Sequence, residues 1–312
     1  MPSVLIVKMG AAGDVVRTTS ILHTLEDWEI DWFVTKENQH LVPNSRIRNL
    51  ITDIRQIPQW TKYDRVVSLE DDPVMVGKIF ATVNAGEIFG SYIDGNGEIT
   101  YTEDSSAWFD MSLISKFGIE KANALKLANR LSYQEILFKS MGHEFTGETY
   151  VLPSELPSTP LRGDIAVAPT AGKRWPMKNW SYFKELIALL SRDFRVNVLP
   201  ERPTILEHTS DISNHDLVIS NDSLPMHLAL GLGIPAIAFF TCTSPWEIYD
   251  YGLLTKLVSP DLAKHFFKKE YDEEAVTSIS VETAYKAVIA TMCLHNGSGG
   301  ISQKIRYMSM NN

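Results

Sequence analysis

Val4-Leu5-Ile6-Val7-Lys8-Met9-Gly10-Ala11-Ala12-Gly13-Asp14-Val15-Val16-Arg17-Thr18-Thr19 is the stretch on which the fold turns. Its first four residues are apolar without a polar alternation, which marks a strand over 4–8 buried on both faces. The glycines and alanines that follow make a tight loop. Val15, Ile21, Leu22 and Leu25 then recur at helical spacing, so a helix is expected over 14–25. Strand, glycine loop and helix in that order open a doubly wound α/β sheet, and 30–34 and 65–69 read as further strands, with turns at Pro43 and Pro58. Gly10 and Gly13 let a ligand approach the backbone, and the helix start offers free N–H groups. The loop is neither a Walker loop, since no Gly-Lys-Ser/Thr follows, nor a dinucleotide fingerprint, since the third glycine is missing. Asp14 has two readings, a first-turn acid that complements the helix dipole or a functional carboxylate at the loop mouth.

Further along, helices are expected over 113–117 and 125–141, the second ending at Gly142. The stretch 152–160 has three prolines and no periodic apolar face, and reads as a linker. The pattern then restarts with strands over 165–168, 196–199, 216–220 and 234–240 and helices over 181–191, 223–230 and 281–292. This divides the chain into domains 1–155 and 156–295 and a glycine- and serine-rich tail, 296–312, expected to be flexible. The expected architecture is α/β, two Rossmann-like domains facing across a cleft.

Composition narrows the function. The 312 residues are 44% apolar and 21% charged, as in ordinary globular proteins. With 29 Lys and Arg against 38 Asp and Glu, the net charge of −9 argues against nucleic acid as a partner. Cys242 and Cys293 are far apart, which excludes a disulfide framework or a cysteine zinc site and fits a cytoplasmic location. The start lacks the basic and small-residue pattern of a signal peptide. The window 223–246 has no Asp, Glu, Lys or Arg, but Pro225, Gly231, Gly233 and Pro235 break it into buried α/β pieces rather than a membrane span. Contact with a membrane is expected to be peripheral at most. No H-E-x-x-H, G-x-S-x-G or kinase motif occurs.

Two more loops carry chemistry. Within 168–180 (Ala-Pro-Thr-Ala-Gly-Lys-Arg-Trp-Pro-Met-Lys-Asn-Trp), three cations and two tryptophans interleave. They suit an anionic, partly planar ligand such as a nucleoside diphosphate, or equally a surface loop with its tryptophans tucked against the core. The other loop is Ser220-Asn221-Asp222-Ser223-Leu224-Pro225-Met226-His227. Here Asp222 or Ser223 caps a helix; alternatively, the open helix end binds phosphate while Asp222 accepts hydrogen bonds from a sugar. His227 lies one turn inside that helix and reads as structural.

In order and spacing, these segments resemble glycosyltransferase family 9, the heptosyltransferases. The resemblance rests on 4–8 with Gly13-Asp14-Val15-Val16 and Thr18-Thr19, on Lys173-Arg174-Trp175-Pro176, and on Asn221-Asp222-Ser223 with Met226-His227-Leu228-Ala229, Thr243-Ser244-Pro245 and Tyr251-Gly252. It implies a GT-B fold and an inverting, metal-independent transfer of heptose from ADP-heptose to a glycan or lipopolysaccharide-core acceptor, with no cofactor. The N-terminal domain then binds acceptor and the C-terminal domain donor. By the same resemblance Asp14 is the general base beside Gly10 and Gly13, and Lys173 neutralises the departing diphosphate. Thr170, Ser223 and Leu224 contact the donor, Asp222 orients its sugar, and His227 supports the loop. The chain departs from the family where Leu224-Pro225 replaces a glycine, and where only 200–215 stands in place of a glycine turn, a helix and a strand. A silent sugar-nucleotide binder and a sugar-nucleotide epimerase or hydrolase are the alternatives. Arg46, Arg48, Arg55, Lys62 and Arg65 are candidates for an anionic acceptor, or else surface charges.

Overall fold

A computed structural model describes residues 1–172, 175–268 and 270–295. The chain divides into two compact units, one comprising Met1–Glu155 with Trp246–Tyr249, the other beginning at Leu156 and leaving out that four-residue strap. No local sequence feature announces that 246–249 packs with the first unit.

In the first unit the order is β1 (Ser3–Val7), α1 (Ala12–Thr18), β2 (Glu29–Phe33), β3 (Asn49–Ile51), β4 (Thr61–Ser68), α2 (Pro73–Thr82), β5 (Val83–Ile93), β6 (Ile99–Tyr101), α3 (Ser106–Phe109), α4 (Ile119–Ala128) and α5 (Tyr133–Ser140). The sheet runs β3-β2-β1-β4-β5-β6, parallel except for β6. Val4 to Val7 are all fully buried, as the unbroken apolar run requires of a central strand. Gly90 is needed at its place: its φ is +98°, and a Cβ there would meet the Ser68 carbonyl at 1.9 Å.

Three expected helices come out differently. The one over 14–25 leaves α-geometry after Thr18 and continues as a 3-10 helix over Thr19–Thr24. There the Thr19, Ser20 and Thr24 hydroxyls bond carbonyls three residues back. The one over 125–141 is two helices, because Ser132 begins α5 with a capping box to Glu135, a signature that was present in the sequence. Residues 113–117 form turns, and Leu113 and Phe117 are exposed, so no core face stabilises a helix there. Helix α2 and strand β5 were not anticipated.

In the second unit the elements are β7 (Ile165–Ala168), α6 (Phe183–Leu190), β8 (Val196–Val198), α7 (Ile205–Ser213), β9 (Leu217–Asn221), α8 (Leu224–Gly231), β10 (Ala236–Phe240), β11 (Leu254–Val258), α9 (Leu262–His265), α10 (Glu273–Thr277) and α11 (Val281–His295). All five strands are parallel, in the order β11-β10-β9-β7-β8. The core under this sheet holds Trp180, stacked on Phe239 at 4.1 Å, with Leu186, Val288 and Met292. The short stretch 200–215 carries one helix, α7, started by a Thr204–Glu207 capping box. Residues 296–312, the tail expected to be flexible, lie outside the described residues. No helix among the described residues is long and apolar enough to cross a membrane.

Candidate functional site

In a doubly wound sheet, ligands bind beyond the carboxyl ends of the strands where the winding reverses. In the first unit that point lies between β1 and β4. Lys8 follows β1, Glu70 follows β4, and the glycine loop leads into α1 beside them. Glu70 Oε1 accepts the Met9 amide at 2.6 Å and stands 3.1 Å from Lys8 Nζ. The carboxylate thus holds both the loop backbone and a buried cation. Burial works against the charge on Lys8, yet Glu70 and Asp14 outweigh it and raise its pKa. Gly10 is not demanded by crowding, since a Cβ there would meet only the Asn38 amide at 3.5 Å. Asn38 itself donates to the Met9 carbonyl at 2.7 Å and pins the loop from the other side.

Asp14, about a third exposed, is paired with Arg17 one turn on, Nη2 to Oδ1 2.9 Å. Arg17 is buried, lies over the Tyr133 ring at 4.2 Å and stands 3.8 Å from Glu247 Oε2 in the returning strap. Burial disfavours its charge, but Asp14 and Glu247 hold its pKa above the ordinary arginine range. Asp14 therefore complements the helix start and also faces a built cluster of Lys8, Glu70, Arg17 and Tyr133. Sequence reasoning missed Glu70, Tyr133 and Glu247, which come from distant parts of the chain. The five cations proposed for an acceptor are mostly occupied locally. Arg48 forks onto Asp31, Arg55 pairs with Asp53, Arg46 donates to the Leu22 carbonyl and Arg65 meets Glu87.

In the second unit the winding reverses between β7 and β9. Beyond their ends lie Pro169–Thr170 and Asp222. Asn221 ties the two loops together, donating Nδ2 to the Pro169 carbonyl at 3.0 Å and accepting the Trp180 amide at 3.1 Å. Asn179 Oδ1 accepts the Ala171 amide at 2.6 Å. The cation that the described residues bring to Asp222 is Lys178, whose Nζ lies 2.8 Å from Oδ2 and 2.9 Å from the Asp222 carbonyl. Thr243 donates to the same Oδ2 at 2.7 Å. Burial disfavours the carboxylate, but Lys178 first and Thr243 with it hold its pKa down at about 2. His227, buried in α8, is coupled electrostatically to Asp222.

These contacts separate the two readings of the third loop. Ser223 is the N-cap of α8, but neither its hydroxyl nor the Asp222 carboxylate caps the helix. The start of α8 is left without a side-chain cap, with Leu224 in its first position. For the second loop the answer is mixed. Trp180 is a core residue whose indole donates to the Ile279 carbonyl at 2.8 Å, and Trp175 packs edge-on against Phe267 at 5.3 Å. Both tryptophans serve packing. Thr170 is exposed after β7, while Lys173 and Arg174 lie outside the described residues.

The two strand orders define the class of fold, an α/β architecture that matches GT-B heptosyltransferase structures. Residues 183–276 match the model of glycosyltransferase family 9 (heptosyltransferase), in line with the motif resemblance. Among solved structures, Escherichia coli heptosyltransferase WaaC with ADP-2-deoxy-2-fluoro heptose is 17% identical, with a TM-score of 0.58 over 92% of this chain and 98% of that one. The E. coli ADP-heptose lps heptosyltransferase II is 14% identical, with a TM-score of 0.59 over 95% and 100%. The iron-containing dodecameric glycosyltransferase TibC of enterotoxigenic E. coli is 13% identical, with a TM-score of 0.56 over 96% and 80%. At these identities the likeness is one of fold. No curated protein matches the sequence.

Proposed function

We propose that the protein is an inverting, metal-independent transferase that moves a heptose from ADP-heptose to a hydroxyl of a lipopolysaccharide-type glycan. The observation that carries this reading is the Lys178–Asp222–Thr243 cluster beside the uncapped start of α8, of which Asp222, Thr243 and α8 fall inside the family 9 segment. A helix N-terminus and a fixed ammonium favour a diphosphate leaving group, and an ionised Asp222 accepts hydroxyl hydrogen bonds from a sugar. Neighbouring folds solved with ADP-2-deoxy-2-fluoro heptose and with ADP-D-beta-D-heptose support the choice of donor.

In this mechanism the first unit takes the acceptor and the second the donor. Asp14 removes the proton of the acceptor hydroxyl as that oxygen attacks the anomeric carbon from the face opposite the diphosphate. Arg17 holds the carboxylate in place, and Glu70 and Asn38 fix the loop that presents it. Lys178, with Lys173 by family resemblance, stabilises the charge that develops on the departing diphosphate, while Thr170, Ser223 and Leu224 line its site and His227 steadies α8. Protein cations and amides supply this potential, so no metal or cofactor takes part.

The test is incubation with ADP-heptose, with and without a heptose-free lipopolysaccharide core. Acceptor-dependent ADP release with inversion at the anomeric carbon is expected. Equal release without acceptor points to a hydrolase, and a changed stereocentre on an intact donor points to an epimerase.

A further inference from the structure

We propose that His265, Asp272 and Glu274 form a binding site for a divalent transition cation of zinc type, distinct in position from the loops that serve transfer. His265 ends α9, Asp272 is the N-cap of α10, and Glu274 is the second residue of that helix. One ligand atom from each lies within 4.8 Å of the other two. Zinc bonds to nitrogen and carboxylate oxygen are about 2.0 to 2.2 Å long, so tetrahedral ligands on one ion stand roughly 3.4 Å apart, and rotation of the exposed Glu274 carboxylate draws the set together.

The acids alone would say little, because Asp272 already has a structural task, its Oδ1 accepting the Glu274 amide at 3.0 Å. The imidazole changes the argument. His265 is fully buried, and neither ring nitrogen has a hydrogen-bond partner, although Nδ1 stands 3.3 Å from Asp272 Oδ2. A buried imidazole aimed at two carboxylates without a hydrogen bond is an unmet ligand, and a cation between them satisfies Nδ1 and the free Oδ2 together. One nitrogen and two carboxylate oxygens are a borderline donor set suited to zinc rather than to magnesium or calcium, which prefer oxygen alone. The exposure of both acids leaves room for water to complete the coordination. Lys264 Nζ bonds Glu274 Oε2 and is the competing cation that a metal displaces.

The expected role is structural. Phe267 follows His265 by two residues, donates its amide to the Cys242 carbonyl at 2.9 Å and carries the ring against which Trp175 rests. An ion joining the end of α9 to the start of α10 stiffens that wall of the 169–180 loop.

The full chain, dialysed against chelator and freed of it, is titrated with zinc chloride by calorimetry and followed by thermal unfolding. One zinc per chain and a raised Tm are expected, with affinity at least tenfold weaker in D272N and in E274Q and stronger in K264A. Both carboxylates are partly exposed, so these variants fold even if H265A does not. Failure to retain zinc, or titrations of all three variants that match the wild type, overturns the proposal.

Discussion

Replacing Lys178 by Met tests whether the Lys178–Asp222 pair is integral to the second unit. The substitution keeps the apolar stem of the side chain and removes the ammonium that holds a nine-tenths buried carboxylate. The pKa of Asp222 falls from 3.8 to about 2 despite burial, which corresponds to about 2 to 3 kcal/mol in favour of the charged form. Deleting one partner of a buried pair costs about 3 to 5 kcal/mol, and Asp222 limits the loss by taking up a proton, so about 3 kcal/mol is expected. For a unit of this size that lowers Tm by roughly 6 to 12 °C. The pH dependence gives an independent check. A carboxylate whose folded pKa is depressed contributes stability above its unfolded pKa, near 3.9, and that contribution is lost as pH falls toward about 2. The deficit of K178M against wild type is therefore largest at neutral pH and shrinks on acidification. K178M/D222N, which removes the stranded charge, recovers part of the loss. Thermal unfolding at pH 7 and pH 3 by circular dichroism reads all of this. A neutral-pH Tm within about 1 °C of wild type, or a double variant no more stable than K178M, refutes the reasoning.

Three other outcomes are expected. Asp14→Asn keeps ADP affinity in calorimetry but loses about 10² to 10⁴ of the transfer rate, the usual worth of general-base assistance, and normal turnover removes Asp14 from the mechanism. Lys8, whose folded pKa is raised, contributes stability fully present below its unfolded pKa of about 10.4 and lost as pH rises through the folded value. The stability gap between wild type and Lys8→Met in urea titrations therefore narrows in strong alkali, and a gap constant to pH 12 contradicts the Lys8–Glu70 assignment. Transfer survives excess EDTA and changes less than about threefold on adding magnesium, well short of the several kcal/mol that a catalytic metal contributes; loss of activity restored by magnesium defeats the protein-only account of leaving-group stabilisation.

The sequence by itself determined the central strands and the loops between strand and helix. Val4 to Val7 and Ile165 to Ala168 are apolar on both faces, which only a strand covered by layers on both sides explains. Asp14, Asp222 and Ser223 could be singled out as candidates because each sits in a loop or helix start directly after one of the central strands. Local spacing also held the capping boxes at Ser132 and Thr204, which were there to be read and divide or start helices that the apolar pattern alone did not. Tertiary structure decided the partners. Arg17 meets Glu247 across 230 residues of chain (247 − 17 = 230), and Glu70 reaches the Met9 amide across 61, separations over which local pattern carries no information. It also decided between readings that local chemistry leaves level. Trp180 is core because β10 brings Phe239 beneath it, and Asp222 leaves α8 uncapped because Lys178 and Thr243 claim its carboxylate first. A side chain's choice among competing hydrogen-bond and charge partners depends on what folding brings within about 3 Å of it, and that is fixed by topology rather than by neighbours in the chain.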